Sequence, residues 1–133
     1  VNIRYSLQDD IPEAAAINEK MIENVRHLEP IFMGGLKNFE DLEFIGESRG
    51  IGLMGALEMV QDKKNKLPFD GSISIGERVA NKCIENGLIC RPLGPSIVLC
   101  PPFITSEEEM GIIFDTLEKT LKEVFSEVKS LGQ

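Results

Sequence analysis

Arg91 is the residue of this sequence best placed to do chemistry. It follows the apolar run Leu88-Ile89-Cys90 and stands directly ahead of the turn-forming stretch Pro92-Leu93-Gly94-Pro95. A guanidinium there either pairs with a carboxylate of its own domain or points into a cleft toward a ligand carboxylate, which its planar fork can bind through two parallel hydrogen bonds. The residues alone leave both roles open. Arg49, between Ser48 and Gly50, poses the same choice, and pairing within the domain is the better reading there.

The other reactive residue types give less. His27, the sole histidine, falls on a helix between Arg26 and Leu28, off the apolar stripe, with no second residue placed to complete a nucleophilic dyad. It reads as a surface residue. Cys83, Cys90 and Cys100 are an odd number without metal-ligand spacing, each in an apolar run, and read as buried free thiols. The many carboxylates lie at helix starts or on helix faces, where solvation and the helix dipole account for them. Gly50-x-Gly52 is no dinucleotide fingerprint, since no clear helix follows it and the third glycine is misplaced. No catalytic, cofactor-binding or metal-ligating residue is assigned.

These side chains need a scaffold, and the sequence outlines one. Asp10-Ile11-Pro12-Glu13 predicts a helix start, and Ala14, Ile17, Met21, Val25, Leu28, Phe32 and Leu36 recur at helical spacing as one apolar stripe. Pro30 predicts a kink or break, and Gly34-Gly35 an end there or soon after. Residues 44–60 combine aliphatics with Gly46, Gly50, Gly52 and Gly55 and predict a bent or bulged strand pair, with glycines where another backbone or a ligand comes close. Residues 61–71 are a polar connection.

A second helix carries Ile75, Val79, Cys83 and Ile84 on one face and ends at Gly87. Residues 88–91 and 96–100 then predict a hairpin around the proline-rich turn. The last helix is capped by Thr105 or Ser106 and buries Met110, Ile113, Phe114, Leu117, Leu121, Val124, Phe125 and Val128. This order predicts a two-layer α+β domain, a small and mainly antiparallel sheet covered by helices.

The 133 residues are one domain's worth of chain. Usage is ordinary for a globular protein, 42% hydrophobic and 27% charged, without an apolar run long enough to span a membrane or a recognisable secretory signal. Cytoplasmic location is the default expectation. A net charge of −8 argues against nucleic acid as a partner, because phosphate-backbone affinity needs clustered Lys and Arg.

Three blocks carry a resemblance: S-R-G-I-G-L-M-G-A-L-E at 48–58, G-L-I-C-R-P-L-G at 87–94 and I-V-L-C-P-P-F-I-T at 97–105. In this order and at these separations they resemble the C-terminal end of class III pyridoxal-phosphate aminotransferases, most closely the omega-amino acid or amine:pyruvate branch. The match spans residues 17–133, leaving 1–16 as a poorly matched N-terminal segment. Tyr5-Ser6 and Ala14-Ala15-Ala16 only faintly match the family's Y-S-x-H-P and A-A-A stretch, whose His-Pro and phosphate-contacting threonine have no counterpart here.

The resemblance implies the small domain of a fold-type I enzyme. Its partners would be a large cofactor-binding domain, a second subunit of a homodimer, and small-molecule amine, amino acid and keto acid substrates. It implies that Arg91 is a mobile residue that pairs with a substrate carboxylate and swings aside for a hydrophobic amine. It also implies that Val98 stands where ornithine-type members carry their carboxylate-binding arginine. Pyridoxal phosphate belongs to the parent enzyme. None is expected on this chain alone, because the family's Schiff-base lysine lies upstream and no lysine here has a matching context. A free-standing α+β interaction or regulatory module sharing this ancestry is the alternative.

Overall fold

The computed structural model describes residues 11–132, with side chains placed from Ala16 onward. The proposed Asp10 cap and the Tyr5-Ser6 and Ala14-Ala15 matches lie outside the described residues or side chains. Helix α1 (Ile11–Asn38) leads through a 3₁₀ turn (Phe39–Asp41) into strands β1 (Ile45–Ile51) and β2 (Met54–Met59). A second 3₁₀ turn (Gly71–Ile73) precedes α2 (Ile75–Glu85), which is followed by β3 (Arg91–Leu93), β4 (Ser96–Leu99) and α3 (Glu107–Leu131). The four strands form one antiparallel sheet in the order β1-β2-β4-β3. Helices line one face of it, so the domain is two-layer α+β. No helix among the described residues is long and apolar enough to cross a membrane.

Leu28, Phe32 and Leu36 of α1 are fully buried, with Val25 packed beside them. The stripe weakens at its start, where Ile17 stays exposed and only the loop at Phe103 and Ile104 comes near it. The break expected at Pro30 is absent and α1 runs through it. Pro30 and Arg26 both lie on the solvent side, where water can satisfy a carbonyl left without its N–H partner, while the buried stripe holds the two halves in line.

Just beyond α1, Glu40 ties the helix to the sheet. The Lys37 ammonium lies 2.6 Å from its carboxylate, and the Ser48 hydroxyl and N–H donate to it at 2.6 and 2.9 Å. These donors, Lys37 first, hold the Glu40 carboxyl down from 4.5 to about 2. A carboxylate depressed in the fold contributes stability that is complete above the unfolded value and is lost as pH falls toward the folded one. Glu40→Gln should therefore flatten the fall in stability between pH 4.5 and about 2, read as urea midpoints across that range for both proteins.

The first hairpin pairs Arg49 with Ala56 and Ile51 with Met54, and its register shifts between Ile45 and Glu47, the expected bulge. Leu57, Met59, Ile97 and Leu99 form the inward face. Gly55 shares that face. A Cβ there would lie 2.4 Å from a Leu36 methyl and 2.9 Å from the Phe32 ring, so its missing side chain lets α1 sit directly against β2. On α2, Ile75, Val79 and Cys83 turn inward, but Ile84 is exposed, one position and about 100° further round the helix. Gly87, at φ +90°, closes α2 with paired bonds from its own N–H to Ile84 and from Leu88 N–H to Cys83.

The second hairpin differs from expectation in its boundaries. Its first strand is Arg91–Leu93 rather than residues 88–91, so Pro92 lies within a strand and only Gly94-Pro95 make the turn. An edge strand tolerates this, because one row of its N–H groups has no ladder partner to lose. The turn is seated from below: a Cβ on Gly76 of α2 would lie 2.2 Å from the Gly94 carbonyl oxygen. Ser106 and Glu109 cap α3 reciprocally, and the α3 stripe is buried or half-buried as its spacing requires, with Phe125 edge-on to Phe44 at 5.1 Å.

Candidate functional site

Arg91 opens β3, the edge strand, paired across to Val98 of β4. The register continues from Val98 to Ala56 of β2 and from Ala56 to Arg49 of β1. One row thus crosses the whole sheet with a guanidinium-bearing residue at each end, three strand spacings or about 14 Å apart. Inward residues Leu57, Ile97 and Leu99 alternate with this row, so the row belongs to the face the helices leave open.

The two arginines end up in different states. Arg49 is clamped by Glu58 at 2.8 Å and Glu47 at 3.3 Å, so the choice posed by its sequence context resolves to pairing within the domain. Arg91 is exposed and makes no ion pair or side-chain hydrogen bond among the described residues. Pairing with a described carboxylate, the alternative left open by the sequence, is therefore not its state here. A cleft of about 360 Å³ lies at the hairpin turn, lined by Phe69, Asp70, Glu77, Pro92 and Pro95, and Arg91 does not line it. The guanidinium stands on an open surface.

The neighbours of Arg91 on that surface are apolar, and of them the sequence reading gave a role only to Val98. Ile89 and Leu93 flank it, Val98 is its cross-strand partner, and Ile51 and Met54 occupy the adjacent corner of the sheet. Period-two alternation could have flagged them, but only with the pairing register known. His27 is exposed as expected, with Nε2 2.5 Å from Glu107 Oε1, a link between α1 and the start of α3.

The cysteines divide. Cys83 and Cys90 are buried, as expected, and contact with the Cys83 thiol together with burial pushes the Cys90 thiol up. Cys100 is exposed, contrary to expectation, because β4 ends at Leu99 and the chain there leaves the sheet toward Pro101. Treatment of the folded chain with an aromatic disulfide should modify Cys100 alone at first, with Cys83 and Cys90 following only on unfolding. Peptide mapping of the label checks this.

Pyridoxal phosphate is held as a Schiff base on a lysine in a dry site, and the described lysines do not fit it. All but Lys82 are exposed. Lys82 is paired with Glu85 at 3.1 Å, and that hydrogen bond raises its pKa, opposite to what a nucleophilic amine needs. No chemical step is assigned to the cofactor on these residues.

The Aminotransferase class-III family model matches residues 13–121, and the chain belongs to that family. Among curated relatives, the adenosylmethionine-8-amino-7-oxononanoate aminotransferase of Methanocaldococcus jannaschii is 37% identical over 105 residues, 79% of this chain and 23% of that protein. The mitochondrial gamma aminobutyrate transaminase 1 of Solanum lycopersicum is 34% identical over 111 residues, 84% of this chain and 22% of that one. Among solved structures, an omega-transferase from Vibrio fluvialis JS17 is 56% identical with TM-score 0.83, over 86% of this chain and 27% of that one. An omega-aminotransferase from Paracoccus denitrificans is 58% identical with TM-score 0.81, over 84% and 25%. The chain therefore spans about a quarter of the length of the relatives it matches.

Proposed function

We propose that this chain, from residue 17 to 133, is the C-terminal substrate-pocket domain of a pyridoxal-phosphate transaminase that moves an amino group between an amine or omega-amino acid and pyruvate. The observation that carries the reading is the state of Arg91: a guanidinium without a partner among the described residues, on a sheet face the helices leave open. Identity of 56–58% to the Vibrio fluvialis omega-transferase and the Paracoccus denitrificans omega-aminotransferase, against 34–37% to the two curated relatives of other substrate names, supports the amine branch.

In the assembled enzyme Arg91 binds the substrate carboxylate through its fork and orients the keto acid, and it moves aside when a hydrophobic amine takes the same space. The edge position of β3 suits that movement, since only β4 holds the strand laterally. The cofactor and its lysine belong to the preceding part of a cytoplasmic homodimer, and this chain alone transfers no amino group.

A graft tests the reading. This chain replaces the matching quarter of the Vibrio fluvialis omega-transferase, and amino transfer from an arylalkyl amine to pyruvate is followed. Transfer to pyruvate is expected. A graft that binds pyridoxal phosphate and assembles, yet moves no amino group to pyruvate, overturns the assignment.

A further inference from the structure

Cys100 stands in water, whereas the thiols of Cys83 and Cys90 touch inside the core. The end of α2 builds that contact. Gly87 takes the left-handed turn at φ +90°, and the Leu88 N–H closes back on the Cys83 carbonyl at 2.8 Å, so the chain reverses over the helix turn it has just left. α2 packs against β3, and Cys90, the residue ahead of β3, is laid against Cys83 in the process. The buried Thr120 hydroxyl of α3 lies beside the Cys83 thiol, 2.8 Å from the Thr116 carbonyl oxygen, and accepts from the Asn86 amide at 2.9 Å. Two thiols thus meet in a polar spot between α2 and α3.

The two sulfurs are unlike. The hydrogen bond from Cys90 first, and the Thr120 hydroxyl after it, hold the Cys83 thiol below its ordinary value in spite of burial. Contact with Cys83 and burial push the Cys90 thiol up. One sulfur therefore reacts as a thiolate while its neighbour keeps a proton for a second step.

We propose that Cys83 and Cys90 are a redox-active pair that a small hydroperoxide closes to a disulfide, pinning the residue ahead of Arg91 to the end of α2. In the first step the Cys83 sulfur attacks the terminal oxygen of the hydroperoxide and the O–O bond breaks. The leaving oxygen takes the proton that Cys83 gave up, and Cys83 becomes a sulfenic acid. In the second step the Cys90 sulfur attacks the Cys83 sulfur, the S–S bond forms and the S–O bond breaks. The departing hydroxide takes the Cys90 proton and leaves as water. Two thiols are oxidised by two electrons in all, and one hydroperoxide is reduced to water and an alcohol, or to two waters from hydrogen peroxide. A water-sized oxidant needs only the small opening at Cys90, which is 8% exposed and too narrow for an aromatic reagent.

The bond acts on the strand that carries Arg91. Residues 88–90 belong to no helix or strand, and β3 beyond them is held laterally by β4 alone. An S–S bond of about 2.05 Å is shorter than any non-bonded contact. The irregular segment yields to it more readily than α2, whose Ile75, Val79 and Cys83 are fixed in the core. Oxidation therefore stiffens the start of β3.

Peptide mapping tests the pair. The folded full chain is treated with hydrogen peroxide, its remaining thiols are blocked with N-ethylmaleimide, and it is cut at glutamate, which separates Cys83 from Cys90 at Glu85. Expected is a peptide pair joined through Cys83 and Cys90 of one chain, at least about tenfold more abundant than any link to Cys100 and lost when dithiothreitol precedes blocking. Amide exchange over residues 86–93 should slow at least about fivefold in the linked chain. Absence of the link in the folded chain, links to Cys100 in equal amount, or sulfinic acid at Cys83 in its place overturns the pair. Unchanged exchange in a linked chain overturns the stiffening of β3. Cys83→Ser should abolish link and slowing together, and slowing that persists in it overturns the disulfide as the cause. Mapping of the unsubstituted chain decides the pairing whether or not that variant folds.

Discussion

Replacing Arg91 with alanine in the assembled enzyme should raise KM for pyruvate by about 10- to 150-fold, the loss of a charge-assisted contact of about 1.5–3 kcal/mol. An uncharged arylalkyl amine should lose less than about threefold in kcat/KM, because it makes no contact with the guanidinium. The asymmetry is the point of the experiment. Arg91 has no partner among the described residues to orphan, so its removal leaves no described carboxylate uncompensated and should not disturb the fold. A structural arginine would behave differently, lowering thermal stability and weakening both substrates together. Arg91→Lys keeps the charge but not the fork, and should recover only part of the pyruvate affinity. Steady-state kinetics with each substrate varied in turn check all three expectations, and equal losses for pyruvate and amine would remove the assigned role.

Phe32→Ala should cost about 3–5 kcal/mol of stability, a large share of the roughly 5–15 kcal/mol typical of a domain. Phe32 is fully buried in the C-terminal half of α1 and stacks on Phe114 of α3 at 6.1 Å. Its ring also fills the space that Gly55 leaves on the inner face of β2, so three elements meet on one side chain. Truncation leaves a cavity that Gly55 cannot fill, and the rigid sheet above it limits collapse. Urea unfolding of both proteins measures the loss, with the slope unchanged if the denatured state is unaffected. Phe32→Leu should cost much less, since it restores most of the volume. A loss below about 1 kcal/mol for the alanine variant would mean that the contact between α1 and β2 is not central to the core.

Much of this architecture was legible along the chain. The Leu28, Phe32, Leu36 spacing and the α3 stripe from Met110 to Val128 follow helical period, and both are where the core lies. The glycines of 44–60 marked a bulged hairpin because missing side chains permit close approach, and the register shift at Gly46 and the packing of Phe32 against Gly55 are the result. Other expectations failed where a local rule met a tertiary one. Pro30 does not break α1, because burial on the opposite face outweighs one lost hydrogen bond. Pro92 lies inside a strand rather than its turn, because β3 turned out to be an edge. Cys100 and Ile84 sit in apolar runs yet face water, since hydropathy reports what a side chain prefers and not which neighbour arrives to cover it.

Arg91 itself was legible as an anomaly but not as an answer. A guanidinium beside an apolar run demands a partner, and the residues near it in sequence cannot say whether a distant carboxylate supplies one. Arg49 raised the same question and received the opposite outcome, since strand pairing carried Glu58 to it from nine positions away.

Residue type and spacing by themselves determined the helices, the hairpins, the α+β class and the family, because each depends on short-range periodicity or on blocks of consecutive residues. Only the tertiary structure decided which side of the sheet stays open and which arginine stays unpaired. Both are consequences of strand order and register, which join residues tens of positions apart and leave no local mark on the chain.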